Sequence, residues 1–235
     1  MNKHLFKLFF ELLNLPSIKI SFRDSNEKSI ENYITTYKLF TKKHRLKIIR
    51  NKVIGVSIID LNNFNNYNEY YKSINGKNSA AYYSRKAKKR DYNFLEIDRN
   101  NYIENIYEIN TSKEIRQGRK MSSKYQNKTK KYINKNNYKY FGIVKGEENL
   151  VSYCNIGFFG EFAVVNSLLG HSNHLNNGVM YYMMVEFHKI MIEEYKDIGY
   201  RYIMYDTFYG GSVGLRKFKT KLGYSPYNVK WVWDV

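Results

Sequence analysis

The sequence predicts an α+β chain: a mixed, mostly antiparallel sheet flanked by helices and preceded by an N-terminal α/β extension. Three observations carry that reading. Strand-like runs at 140–144, 150–159 and 162–169 follow one another across two tight turns, 146–149 and 160–161, each holding the glycine that such turns require. Met180, Met183, Met184, Phe187, Ile190, Met191, Tyr195 and Ile198 recur at spacings of three and four, the period of a helix with one apolar face. A strand ending at Asp206, a Gly210-Gly211-Ser212 turn, a helix over 213–222 and a strand near 229–232 close the chain. Helices covering a single sheet in this order make an α+β layer arrangement.

The elements follow in order. Residues 1–15 read as an amphipathic helix whose apolar cluster is interrupted by Lys7 and Glu11, with a short membrane-surface anchor as the alternative. A helix is expected at 28–41, and a strand at 46–61, broken around Lys52 and Gly55, reads as a β-hairpin. Helical stretches at 68–72 and 80–89 complete an extension spanning 1–90, and 91–235 form the main domain. That domain opens with a strand at 92–97, a helix at 101–110 carrying Ile103, Ile106 and Tyr107, and a helix or turn at 121–132. The methionine-rich helix has Asn176 or Asn177 to cap its start and Gly199 at its end.

Composition narrows the class. With 235 residues, 43% of them hydrophobic and only 2 prolines, the chain can bury a sizeable core. Cys154 stands alone, which excludes an intramolecular disulfide and points to the cytoplasm. No run approaches the roughly 20 apolar residues of a spanning helix, so no stable membrane insertion is expected. A net charge of +18 suits a polyanionic partner, but lysine, asparagine, isoleucine and tyrosine are all abundant, as in an AT-rich genome. Local clusters therefore weigh more: Arg85, Lys86, Lys88, Lys89 and Arg90, and the ten Lys/Arg of residues 111–140 against one acid, Glu114. Each cluster is either a phosphate-binding face or a solvated one.

The string from Gly214 to Tyr224 (GLRKFKTKLGY), followed by Pro226, resembles the last helix and strand of the GNAT (acyl-CoA N-acyltransferase) superfamily, in the branch related to Fem peptidyltransferases, where a Phe-Lys pair precedes a Gly-aromatic stop. Tyr107–Ser112, then Arg116-Gln117-Gly118-Arg119-Lys120-Met121 and Tyr125, is similar to a motif of GNAT-like proteins. The resemblance covers about residues 91–232. It implies an acyl thioester lying between two splayed strands, here 162–169 with Leu168 and Leu169, and 202–205. It also implies coenzyme A pyrophosphate on the amides of Asn176, Asn177, Gly178 and Val179, since the first amides of a helix lack internal partners. The glycine-rich loop usual before that helix is replaced here by His171-Ser172-Asn173-His174-Leu175-Asn176-Asn177-Gly178. Lys219 stands where many members carry a tyrosine acid and is assigned to the cofactor site.

Tyr209 is the substitute acid, or else an aromatic packed at the sheet edge. Asp206, Glu161 and the two histidines are the candidate bases, with Asp206 alternatively a cap or turn residue. Arg116 and Arg119 would grip a carboxylate or phosphate of the acceptor, or else bridge within the domain. His171 and His174 fall short of a metal ligand set, and no metal is expected. Acetyl-CoA or another acyl-CoA is the implied co-substrate, and the acceptor an amine of a small molecule or envelope precursor. Two alternatives remain open: an aminoacyl-tRNA-dependent transferase of the same fold, suggested by the Phe218-Lys219 string and the basic runs, and a noncatalytic nucleic-acid-binding protein using Tyr82, Tyr83, Tyr125, Tyr132, Tyr138 and Tyr140. The oligomeric state, a homodimer included, is left open.

Overall fold

The computed structural model describes residues 10–22, 30–43 and 50–233. Most of the expected first helix lies outside them; 10–13 are helical. The elements are β1 (Ser17–Ser21), α1 (Ile30–Thr41), β2 (Val56–Asp60), α2 (Tyr67–Ser73), α3 (Ala80–Lys88), β3 (Tyr92–Glu96), α4 (Ile103–Thr111), β4 (Ile115–Arg116), β5 (Arg119–Lys120), α5 (Ser123–Gln126), β6 (Tyr138–Lys145), β7 (Asn149–Phe159), β8 (Phe162–Gly170), α6 (Val179–Ile190), β9 (Tyr202–Thr207), α7 (Val213–Lys221) and β10 (Ser225–Val232). Eight strands form one sheet in the order β1-β10-β2-β9-β8-β7-β6-β3, and β4-β5 form a separate small ribbon. The β3-β6-β7-β8 half is an antiparallel meander, β8-β9 and β1-β10 are parallel, and β2 is antiparallel to both of its neighbours.

Several elements differ from expectation for physical reasons. Residues 46–49 of the first arm of the hairpin at 46–61 fall outside the described residues, and β2 is not a hairpin arm, because β9 and β10 occupy its two edges. Residues 1–90 thus supply two strands to the same sheet as the rest of the chain. The stretch 121–132 carries only the four-residue α5; beyond it lie Asn127, Thr129 and Asn134–Asn137, poor helix formers rich in local hydrogen-bonding options. The long helix ends its α-geometry at Ile190 and continues as a π-turn, Met191–Tyr195.

Helix α6 anchors the main core. Val179, Met183, Met184, Val185, Phe187 and Met191 have no exposed surface, and the helix packs on α3, β6, β7 and β8. Each such side chain contributes roughly 1.5–3 kcal/mol of transfer free energy. A second core under α1 gathers Phe22, Phe40, Phe159, Phe162 and Trp231 in edge and tilted contacts, and a third under α4 gathers Ile97, Ile106, Ile109, Tyr140, Leu150 and Tyr153. The sheet is therefore covered on both faces. Among the described residues no helix is long and apolar enough to cross a membrane.

Candidate functional site

The parallel pair β8-β9 is joined only at Phe162–Tyr202, Ala163–Ile203 and Val164–Met204. Beyond those pairs each strand follows its other neighbour, β8 along β7 as far as Gly170 and β9 along β2 as far as Thr207. Each also carries an extra residue where they part: Asn166 on β8, and one residue of the Tyr205–Asp206 pair on β9. A bulge bends and twists the strand that bears it. Two bulges back to back open a gap in the middle of the sheet, bordered by backbone with no ladder across it.

Asp206 stands at the mouth of this gap with φ +52, a left-handed conformation that aspartate tolerates better than most residues. Its carboxylate is half exposed, pairs with Lys52 and accepts the Thr207 amide at 2.7 Å. Burial pushes its pKa up, but Lys52, the Thr207 amide and Lys219 outweigh burial and hold it below the ordinary carboxylate value. Asp206 is thus an anion throughout the neutral range and a weak base. A cleft of about 70 Å³ beside it is lined by Gln117, Arg119, Thr207 and the Gly210-Gly211-Ser212 turn. Ser212 caps α7 by accepting the Leu215 amide.

Lys219 lies beneath the same strand end with no exposed surface. Its Nζ donates to the Thr207 carbonyl at 2.8 Å and to Ser57 Oγ at 3.2 Å, and it lies 4.8 Å from the Tyr205 ring centroid. Desolvation draws its pKa down to about 8, with Asp206 opposing the fall. The assignment of Lys219 to a cofactor contact gives way to a positioning role: its amine is enclosed, and it fixes the backbone next to Asp206.

The two arginines part company. Arg116, half-buried, donates to the carbonyls of Gly170 at 2.9 Å and Ile109 at 2.6 Å and to Ser112 Oγ at 3.0 Å, so it braces the end of β8 against α4. Arg119, exposed on the ribbon, reaches the Gly210 carbonyl at 3.4 Å and lines the cleft. Glu161 sits at the opposite, closed end of β8, where Oε1 accepts the Ser21 amide at 2.7 Å. Tyr209 packs on Gly55, where a methyl group would lie 2.7 Å from the Tyr209 ring, and burial raises its pKa. Neither joins Asp206 in the cleft. Leu168 and Leu169 point to opposite faces, into the α6 core and the α4 core.

At the expected pyrophosphate site the loop before α6 is tied to α3 and β3. Residues Ser172–Asn177 form a 3-10 turn, and Gly178 starts α6 at φ +88. A methyl group there would lie 2.4 Å from the Tyr83 carbonyl oxygen of α3. Lys86 donates to the Asn176 carbonyl at 2.9 Å, Arg90 to Asn177 Oδ1, and Asn177 Nδ2 to the Tyr92 hydroxyl at 2.8 Å. Arg85 is held by Tyr71 and Asn75. Three of the five cations in the 85–90 run are thereby engaged inside the fold. His171 caps the 3-10 turn and His174 meets the Tyr92 hydroxyl at 2.7 Å. Cys154 is buried, and burial pushes its thiol pKa up.

Two features escaped the sequence. Lys52, the partner of Asp206, lies 154 residues away in the chain, and no local pattern marks it. His188, on the most apolar helix, is fully buried between the Tyr70 hydroxyl at 2.6 Å and the Tyr224 hydroxyl at 2.9 Å, and desolvation draws its pKa down to about 3. Tyr70 also donates to the Leu222 carbonyl at 3.1 Å, which leaves His188 Nδ1–H to donate to Tyr70 and Nε2 to accept from Tyr224. Its spacing within the apolar stripe is the one signal that placed it inside.

No known family profile matches the chain, and no curated protein matches it in sequence. Solved structures do. The crystal structure of FemX shares 10% identity over 74% of this chain and 59% of that one, with a TM-score of 0.51. A tandem GNAT protein from the clavulanic acid biosynthesis pathway aligns over 91% of this chain and 59% of its own, at 10% identity and a TM-score of 0.46. The C-terminal domain of a putative lysylphosphatidylglycerol synthetase from Agrobacterium fabrum aligns over 73% and 57%, at 11% identity and 0.45. The chain spans less than two thirds of the length of each of these. At such identities the FemX likeness establishes the fold alone, and it agrees with the GNAT-like architecture read from the sequence.

Proposed function

We propose that this chain, which has a GNAT-like fold, is a transferase that moves an aminoacyl group from a charged RNA to an amine held beside Asp206. The choice of carrier is supported by the start of α6, where α3 packs so closely that a methyl group on Gly178 would lie 2.4 Å from the Tyr83 carbonyl oxygen, which leaves little room for a pyrophosphate beside Gly178. An ester-linked RNA carrier needs no such site. The Phe218-Lys219 string and the basic segment 111–140 support the same choice, and the lone Cys154 fits the cytoplasm, where charged RNA is found.

In this reading the ester carbonyl lies in the gap between β8 and β9. The amine nitrogen attacks the carbonyl carbon, a C–N bond forms, the C–O bond to the ribose breaks, and the proton lost by nitrogen passes to the ribose oxygen. Beyond Val164 the edge of β8 makes no ladder with β9, so its amides are available to the oxygen that becomes negative. Asp206, ionised at neutral pH, accepts a hydrogen bond from the amine and offsets the positive charge that grows on nitrogen. Lys219 and Lys52 hold that carboxylate and its strand end in place.

An acyl-CoA donor is the second reading, favoured by the two cations, Lys86 and Arg90, at the α6 start. Calorimetric titration with acetyl-CoA, beside titration with charged and uncharged tRNA, separates the two. Salt-sensitive tRNA binding with no acetyl-CoA heat supports the RNA carrier; saturable acetyl-CoA binding that persists in salt would replace it with the second reading.

A further inference from the structure

Under the loop that follows α5 lies a cavity of about 570 Å³, within the size range of small-molecule sites. Tyr153 and Asn155 of β7 and Ser167 of β8 line it from the sheet, Lys124 and Tyr125 from α5, and Lys131 and Tyr132 from the loop. Three cations and no carboxylate face it, the third being Arg99. Arg99 is engaged: it donates to the Ile133 carbonyl at 2.8 Å and lies 3.7 Å from the Tyr140 centroid and 4.6 Å from that of Tyr132. The ammonium groups of Lys124 and Lys131 make no hydrogen bond or ion pair among the described residues. Two unpartnered ammonium groups over one cavity attract an anion. Tyrosines beside them provide flat faces on which a base stacks.

An anion and a flat ring occur together in a nucleotide. We propose that this cavity binds a nucleotide, with its phosphate at Lys124 and Lys131 and its base against Tyr125 and Tyr132. Asn155 is registered with Ser167, the residue after the β8 bulge that opens the gap. The nucleotide therefore lies beside the point of transfer, and the last nucleotide of the RNA carrier is its natural occupant. That final step rests on the function proposed above; the binding itself does not.

The test is isothermal titration of the whole chain with adenosine 5′-monophosphate and with ribose 5-phosphate, which lacks the base. Saturable binding of the first at one site, about tenfold tighter than the second, is expected. The double variant Lys124→Gln, Lys131→Gln should weaken it at least about tenfold, whereas Lys88→Gln, Lys89→Gln, which removes the same charge from an exposed stretch elsewhere, should not. No saturation, equal affinity for the two phosphates, or equal loss in both double variants would overturn the site. An oligoribonucleotide ending in adenosine that displaces the mononucleotide identifies an RNA end as the occupant, and one that does not identifies a free nucleotide; both require the site. Mononucleotide binding without any transfer from charged RNA removes the proposed function and keeps the site. Transfer without mononucleotide binding does the reverse.

Discussion

Lys219 has no exposed surface, and burial draws its pKa down to about 8, against about 10.4 in an unfolded chain. The unfolded state therefore binds this proton more tightly. The penalty on folding is complete below pH 8 and is relieved as the pH rises from about 8 to about 10.4. Lys219→Met removes that dependence. Between pH 7 and pH 10.5 its urea-derived stability should shift relative to wild type by up to about 3 kcal/mol, in favour of wild type. A difference that stays constant over this range would show that the ammonium is not desolvated. Asp206→Asn tests the neighbouring role: transfer should fall at least about tenfold, with a rise in KM for the amine, and unchanged kinetics would remove Asp206 from the site. The place of Asp206 at the end of a strand was legible, because an apolar run that closes on a carboxylate and is followed by a glycine turn marks where a strand stops. Glu161 was misjudged because a hairpin turn carries no sign of which end of the sheet it occupies. The burial of Lys219 was not legible either, since a lysine among lysines on a short helix reads as exposed.

At the scale of elements, the start of α6 and its midpoint are each fixed by one residue. Gly178 combines φ +88 with the close approach of Tyr83, so Gly178→Ala strains the backbone and pushes α3 away. It should cost at least about 2 kcal/mol in chemical denaturation, and a neutral result would mean that α3 does not cover the helix. His188 is buried neutral, with its pKa drawn down to about 3, below an unfolded value of about 6.5. The unfolded chain takes up that proton first, so His188 costs stability as the pH falls from about 6.5 toward 3. His188→Phe should lose roughly 2 kcal/mol at pH 7 through the abandoned Tyr70 and Tyr224 hydroxyls, and its stability should decline less steeply than wild type between pH 6 and 4. A parallel decline in both proteins would place the acid sensitivity elsewhere. The apolar period of α6 showed the helix from sequence. Its closed start was not visible, because it depends on α3, more than eighty residues earlier in the chain.

Across the whole molecule, the gap between β8 and β9 is a consequence of sheet order. β8 is committed to β7 and β9 to β2, and the two bulges release them from one another. The strands themselves were readable from alternation and turns, but the place of β1 and β2 within the single sheet was not, since pairings between residues 17–60 and 202–232 have no local signature. Charge divides in the same way. The 85–90 run is largely spent inside the fold, while Lys124 and Lys131 remain free over the cavity. Affinity for RNA should therefore fall with salt, with a slope near −0.7 per phosphate contact, and the Lys124→Gln, Lys131→Gln variant should lose about one to two units of that slope. An unchanged slope would move the RNA path to another face. The most direct measurement is transfer itself: tRNA charged with labelled amino acids is incubated with the protein and hydroxylamine, a small general acceptor, with acetyl-CoA in a parallel reaction. Protein-dependent labelled hydroxamate, abolished by ribonuclease and reduced by Asp206→Asn, is the expected result. Acetyl hydroxamate from acetyl-CoA, with the charged tRNA left intact, would contradict it.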